Sequence, residues 1–414
     1  MTAPLLLAYI CAALLLQLAV GIGAWVWRRR GAAARPPIAV EQETPCTSSA
    51  AWPGWREFRV ASREFEDDAQ TQCSFYLAPV DGAPLPPFKA GQFLTFALQV
   101  ADIGGSGGKR TITRCYSLSD RPDPARYRVT IKRVPAPADR PDVPAGVSSG
   151  HLHDRVHEGD VVRVKAPAGN FFIDPDPNVP VALIAGGIGI TPMMSMLGWC
   201  LSEQPGRPVH LYYGLRRGEE HAFKRHLEAL AGSHPNFHLH AVYSRPGPND
   251  LPTRDYHHAG HLDVDLLRRT LPHGRHAFYV CGPAPMMASL VPALSHWGVA
   301  QQDIHYEAFG PASVRAASTS LEEPLPSLGA PIEVQFRRSG RTLSWDEQDA
   351  SLLDFAERHG VAVDSGCRSG GCGSCETKLV SGSVRYARQP DHDVATGHCL
   401  LCVGTPASPL VLEA

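Results

Sequence analysis

The chain has 414 residues, 43% hydrophobic and 19% charged, which is enough for about three domains with cores of their own. A formal charge of -2 over that length leaves no basic footprint, so nucleic acid is excluded as a partner. Five of the eleven cysteines fall within the last fifty residues, which argues against a secreted disulfide framework and for a local metal site in a reducing compartment.

Residues 4–27, PLLLAYICAALLLQLAVGIGAWVW, carry no charge. As a helix they would extend about 36 Å, enough to cross a hydrocarbon core of about 30 Å. Trp25 and Trp27 sit where an aromatic belt would lie, and Arg28, Arg29 and Arg30 follow at once. The positive-inside rule then predicts a single-pass anchor in the cytoplasmic (inner) membrane over residues 1–30, with the lipid bilayer as partner and the remainder of the chain cytoplasmic. A cleaved secretory signal is the alternative, but it requires a basic stretch before the apolar run, and MTAP has none. Residues 31–54, rich in Ala, Pro, Ser and Thr, read as a flexible spacer.

From 55 to 177 short alternating stretches such as FRVASREF, GQFLTFALQV and RYRVTIKRV are broken by Gly and Pro clusters, which predicts an antiparallel β-barrel. From 178 to 312 the pattern changes to strands alternating with helices: VPVALIAGG, TPMMSMLGWCL, VHLYYGL, EEHAFKRHLEAL, FHLHAVYS and HAFYVCG before PAPMMASLVPALSHWG. That is the signature of an α/β domain on a parallel sheet. Residues 313–330 form a second linker, and 331–414 a compact module of two strands, the helix SLLDFAERHG and a cysteine loop.

The loop is CRSGGCGSC, with Cys367, Cys372 and Cys375 spaced C-x4-C-x2-C. This is the spacing of plant-type [2Fe-2S] loops, whose fourth cysteine lies downstream. HCLLCVGTP offers Cys399 and Cys402; the match of CLLC followed by a strand selects Cys402. A four-cysteine zinc site more often shows two separated C-x2-C pairs, and one such pair is present in this ligand set. The module resembles a plant-type ferredoxin over its whole length, which implies a β-grasp fold with Cys367, Cys372, Cys375 and Cys402 as cluster ligands.

Arg114-Cys115-Tyr116-Ser117 carries a second resemblance, to the R-x-Y-S signature in the flavin domain of the ferredoxin-NADP reductase superfamily. The resemblance implies that Arg114 pairs with a flavin phosphate, Tyr116 stacks on the ring and Ser117 bonds near N5, with Cys115 between them and Phe93 on the strand lining the same flavin. Gly146, Val147, Ser148 and Ser149 resemble the pyrophosphate turn of flavohaemoglobin reductase domains, which favours FAD over FMN. In AGGIGITPMM, Gly187, Ile188, Gly189, Ile190, Thr191 and Pro192 end a buried strand and open a helix, a ready cradle for the diphosphate of NAD(P)H. Cys281, Gly282 and Pro283 match the family's nicotinamide-side element, and Glu307 through Phe309 and Gly310 its closing segment beside the flavin. The expected catalytic residues are accordingly Ser117, Cys281 and Glu307. Arg216, Arg217 and Arg245 would suit a 2'-phosphate but read equally as solvated surface, and NADH is the cofactor chosen.

Flavin, nicotinamide and C-terminal ferredoxin in that order is the arrangement of phthalate dioxygenase reductase-type oxygenase reductases. It implies an NAD(P)H-dependent oxidoreductase in which a flavin converts paired electrons to single ones for the cluster. No oxygen-activating site is recognisable in the sequence, so a separate terminal acceptor is expected: an oxygenase, hydroxylase or desaturase. The alternatives are a quinone reductase, whose relatives place the ferredoxin before the flavin domain, and a slow redox-sensing module. His257, His258 and His261 read as a solvated loop.

Overall fold

The computed structural model describes residues 51–101, 108–136, 145–309, 332–346, 348–368, 370–386, 390 and 392–414. The apolar segment 4–27, residues 31–50 of its spacer, the linker 313–330 and Gly310 lie outside them. Among the described residues no helix is long and apolar enough to cross a membrane.

Six antiparallel strands come first: β1 (Arg56–Phe65), β2 (Gln72–Pro79), β3 (Phe93–Ala101), β4 (Lys109–Ser117), β5 (Tyr127–Lys132) and, after helix α1 (Val147–Arg155), β6 (Val161–Val164). They pair in the order β4-β3-β6-β1-β2-β5. A bridge between Leu118 and Val129 brings the two edges together and closes the barrel. Its inward side chains, among them Phe58, Phe75, Phe96, Val129 and Val164, are at most 1% exposed, which is why the strands alternate in hydrophobicity.

The next sheet is wholly parallel, and burial on both faces accounts for its unbroken apolar strands. It runs β7 (Val181–Gly186), α2 (Ile190–Glu203), β8 (Val209–Leu215), α3 (Lys224–Ser233), β9 (Phe237–Tyr243), β10 (His258–Ala259), α4 (Val264–Thr270), β11 (Ala277–Gly282), α5 (Ala284–His296) and β12 (Ile304–Ala308). The strand order is β10-β9-β8-β7-β11-β12, so the chain reverses direction across the sheet between β7 and β11. Ligands of such sheets bind outside the carboxyl ends of the strands at that point. The helix expected over EEHAFKRHLEAL begins only at Lys224. Phe223 adopts a left-handed conformation (φ 60°), and its N–H donates to the Glu66 carbonyl of the barrel at 3.1 Å. A tertiary bond has here overridden helix propensity.

Barrel and parallel sheet share packing. Ala90, Phe171 and Ile173, from the barrel side, belong to the same buried cluster as Leu183, Met193 and Cys281. The last module has a separate core around Val334, Phe336, Phe355 and Leu400. Its strands are β13 (Ile332–Phe336), β14 (Arg341–Trp345), β15 (Glu376–Ser381), β16 (Val384–Tyr386), β17 (His398–Leu400), β18 (Gly404–Pro406) and β19 (Leu410–Leu412), with helix α6 (Leu352–Arg358) capped by Ser351. A five-stranded sheet orders as β14-β13-β19-β15-β17, with β13 and β19 parallel.

One feature of the parallel sheet has no counterpart in the sequence reading. The His210 ring stacks on His238 at 4.6 Å and lies 5.9 Å from His240, which stacks in turn on Tyr212 at 4.4 Å. Both ring nitrogens of His210, and Nε2 of His240, are buried without a hydrogen-bond partner among the described residues. The loop expected to be solvated does expose His257 and His261, although His257 Nδ1 accepts the Ala241 N–H at 2.9 Å. No three histidines, cysteines or carboxylates among the described residues are placed to hold a single metal ion. Burial, reinforced by the neighbouring imidazoles, lowers His210 from 6.5 to about 4 and His240 to about 3.

The sign of the pH effect follows. The unfolded chain takes up protons near its ordinary value while the folded chain refuses them, so stability is full above about pH 6.5 and falls away as the pH drops towards 4. Denaturant melts between pH 7.5 and 5 should show a loss from His210 of about 2 kcal/mol that a His210→Phe variant does not suffer. An identical pH slope in the two proteins would assign the acid limb to other groups.

Candidate functional site

Three groups of predicted residues meet in the unit from residue 50 to 414. The first lies on the barrel. In β4, Ser117 pairs with Phe93 and Tyr116 with Leu94, while Arg114 sits opposite Phe96. The Arg114 guanidinium is half-buried, and its Nη1 donates to the Thr113 carbonyl at 2.7 Å. The Tyr116 ring meets Phe96 edge-on at 5.4 Å, and its hydroxyl touches Ser148 at the start of α1. Burial raises the Tyr116 phenol, and the Ser148 contact partly offsets this. The strand motif and the Gly146–Ser149 turn are thus brought side by side.

The turn itself is tightly knit. Ser149 Oγ donates to the Gly146 carbonyl at 3.1 Å and accepts the Val134 N–H at 3.2 Å. A Cβ at Gly146 would lie 2.8 Å from that hydroxyl. No side chain caps α1, so the amides of Val147 and Ser148 are left at its positive end. An arginine, a hydroxyl and helix-terminal amides within one contact of a buried tyrosine suit a phosphorylated aromatic cofactor.

The second group occupies the switch point of the parallel sheet. β7 ends at Gly186, Gly187 takes φ +54°, and a short turn through Gly189 leads into α2 with no side-chain cap. Thr191 Oγ1 donates to the Ile188 carbonyl at 3.1 Å, and Ile190, Thr191 and Pro192 are buried in the first turn. A Cβ at Gly189 would stand 2.1 Å from the Cys281 carbonyl, so the turn rests directly on the end of β11. Gly282 is also crowded, a Cβ there falling 2.3 Å from Met286 Cε and 3.1 Å from the Gly186 backbone, and the exposed Pro283 precedes α5. Cys281 is fully buried between Ala185 on β7 and Glu307 on β12. Burial pushes its thiol well up, and the Glu307 carboxylate adds to the effect. Phe309 packs against the same cluster. The ends of β8 and β9 present Arg216, Arg217 and Arg245 beyond this crevice, with Arg217 3.4 Å from Glu219.

The third group is the cysteine loop. The Cys367 N–H points at Cys372 Sγ (3.2 Å), the Gly371 N–H at Cys367 Sγ (3.3 Å) and the Cys402 N–H at Cys375 Sγ (3.4 Å). Cys402 also touches Cys375 and Cys367 through its sulfur. The contact with Cys402 lowers the Cys375 thiol. Four sulfurs gathered in one continuous group, with backbone amides aimed at three of them, fit a binuclear cluster with two thiolates per iron. Cys399 is buried on β17 opposite Thr377, with burial pushing its thiol up to about 12. Left-handed Gly370 and Gly373 let the loop turn, and a Cβ at Gly373 would strike the His392 ring at 2.4 Å. His392 Nε2 lies 2.9 Å from Glu376 Oε2 and covers the loop, a pair that the sequence reading did not single out.

Residues 183–291 match the oxidoreductase NAD-binding domain, and residues 334–407 the 2Fe-2S iron-sulfur cluster binding domain. A flavohaemoprotein of Halalkalibacterium halodurans is 39% identical over 284 residues, 68% of this chain and 67% of its own. The chain spans 62 to 67% of the length of the first curated flavohaemoproteins it matches. Among solved structures, the flavohaem-like FAD/NAD-binding domain of a Vibrio cholerae nitric oxide dioxygenase is 30% identical. It covers 62% of this chain and 99% of its own, with a TM-score of 0.53. Phthalate dioxygenase reductase, described as a modular structure for electron transfer from pyridine nucleotides to [2Fe-2S], covers 87% of this chain and 98% of its own at 29% identity and a TM-score of 0.51.

Two substitutions separate the ligand set from its neighbourhood. Cys402→Ser should leave the purified chain with less than half the wild-type iron, whereas Cys399→Ser should keep it; iron and sulfide analysis of both decides, and the reverse result would exchange their roles. Gly189→Ala should cost about 1–3 kcal/mol in denaturant melts, because the new methyl group must displace the Cys281 carbonyl. An unchanged midpoint would mean that α2 can tilt away freely.

Proposed function

This chain belongs to the same reductase family as the flavohaemoproteins, and from that membership and its C-terminal 2Fe-2S domain we propose that it supplies electrons from NADH to a separate, membrane-associated oxygenase, hydroxylase or desaturase. The chain is an oxidoreductase. The observation that carries the reading is the arrangement of its three groups within one compact unit, with Cys115 of the R-C-Y-S strand in contact with Cys367 and Cys372 of the cysteine loop. The order of modules is that of phthalate dioxygenase reductase, which supports an oxygenase as acceptor.

In this reading the side chains divide the work by position. Arg114, the amides of Val147 and Ser148, and the hydroxyls at Ser148 and Ser149 hold the phosphates of FAD. Tyr116 stacks on its ring, Phe93 lies on the strand that lines it, and Ser117 offers a hydrogen bond at N5. Gly187 to Pro192 receive the diphosphate of the nicotinamide nucleotide on the end of α2. Cys281, Gly282 and Pro283 form the floor for the nicotinamide, beside the Glu307 carboxylate, and Phe309 shields that floor from water. Cys367, Cys372, Cys375 and Cys402 hold the cluster. When bound, the flavin takes two electrons together and releases them singly, which no side chain here can do.

The N-terminal residues 4–27 tether this unit to the cytoplasmic membrane, with Arg28 to Arg30 keeping it on the cytoplasmic side. Tethering raises its concentration near a membrane-bound acceptor without any new contact.

Full-length protein in detergent should reduce cytochrome c with NADH faster than with NADPH. Cys375→Ser should lower that rate more than tenfold while NADH still bleaches the bound flavin. Protein that carries zinc instead of iron, or no flavin, would overturn the reading. Recovery of the chain in the soluble fraction of lysed cells would overturn the tether alone.

A further inference from the structure

In a strand, alternate side chains face opposite ways, so Cys115 points away from the side shared by Arg114 and Tyr116. It is expected at the flavin by its place in the motif, yet its sulfur meets Cys367 and Cys372 of another domain. On its other side Thr95 Oγ1 lies 3.4 Å from Cys115 Sγ, and the two residues are direct partners across β3 and β4. The sulfur of Cys372 also accepts the Cys367 N–H at 3.2 Å and lies 3.3 Å from the Ser374 hydroxyl.

From this juxtaposition of a barrel thiol with two cysteine-loop sulfurs we propose that Cys115 is a positioning residue of the iron-sulfur centre, donating a hydrogen bond across the domain boundary to the Cys372 sulfur. The direction of the bond follows from the donor inventory. A sulfur ligating iron is a thiolate with no proton to give, so between Cys115 and Cys372 only Cys115 can donate. The Thr95 hydroxyl then donates to the Cys115 sulfur, completing a chain of two bonds that ends on the ligand. Hydrogen bonds to ligand sulfurs stabilise the more negative, reduced cluster and raise its potential. Most such donors in the loop are its own amides, whose positions are set within the last module. The Cys115 bond comes from outside and exists only while the barrel and the cysteine loop are docked, so cluster potential and docking are linked.

The inference rests on the cluster reading given above, and the test keeps the two apart. Full-length wild type, Cys115→Ser, Cys115→Ala and Thr95→Val are purified with their cofactors, and the cluster is titrated by electron paramagnetic resonance at poised potentials. At the wild-type midpoint, Cys115→Ala should show a ratio of reduced to oxidised cluster three- to tenfold lower, about 28 to 59 mV in midpoint. Cys115→Ser, which keeps a donor, should remain within about twofold of wild type. Thr95→Val leaves the thiol in place and weakens it as a donor, so it should shift the ratio in the same direction by a smaller factor. Equal midpoints in wild type and Cys115→Ala would overturn the proposal. Should Cys115→Ala fail to retain its cluster, an unshifted Thr95→Val midpoint overturns it instead and a lowered one supports it. A wild-type protein without a [2Fe-2S] signal would sink the cluster reading itself, a result distinct from either.

Discussion

The site depends on how closely bare backbone can approach bare backbone. Where Gly189 meets the Cys281 carbonyl, a single methyl group would intrude to 2.1 Å. That contact fixes the start of α2 against the end of β11, and so decides where the helix's free amides point and how far Cys281 lies from them. Gly366 does the same for the cysteine loop, since a Cβ there would sit 2.6 Å from Cys372 Sγ. At both places the missing side chain sets the space in which a cofactor can be held, and the charged residues act within it.

Much of this was legible because the motifs are local. The run AGGIGITP compresses a strand end, a turn and a helix start into eight residues, and the cysteine spacing brings three ligands within nine. The sequence pattern favours Cys402 over Cys399, and the structure aims the Cys402 amide at Cys375 Sγ. What sequence could not supply was contact between segments far apart in the chain. Phe223 breaks a helical pattern because the Glu66 carbonyl waits for its N–H, and nothing near residue 223 announces that. The imidazole stack is scattered over residues 210, 238 and 240, and only the parallel register of β8 and β9 aligns them. The side on which Cys115 lies was available from the two-residue period of its strand, but what it faces was not.

The division of charge and burial matches the division of labour. Groups that would touch an anion, such as Arg114 and the first residues of α1, are only half-buried. Cys281, Cys372, Cys375 and Cys402 are buried, where water competes less for their hydrogen bonds.

The separation of cores has an evolutionary corollary. Ala90, Phe171 and Ile173 bind the barrel into the packing of the parallel sheet, whereas Phe336 and Phe355 serve only the last module. A recombination event between the barrel and the parallel sheet would sever a hydrophobic interior. A crossover just ahead of Ile332 cuts no such interior. The last module can therefore be exchanged as a unit without opening a shared core.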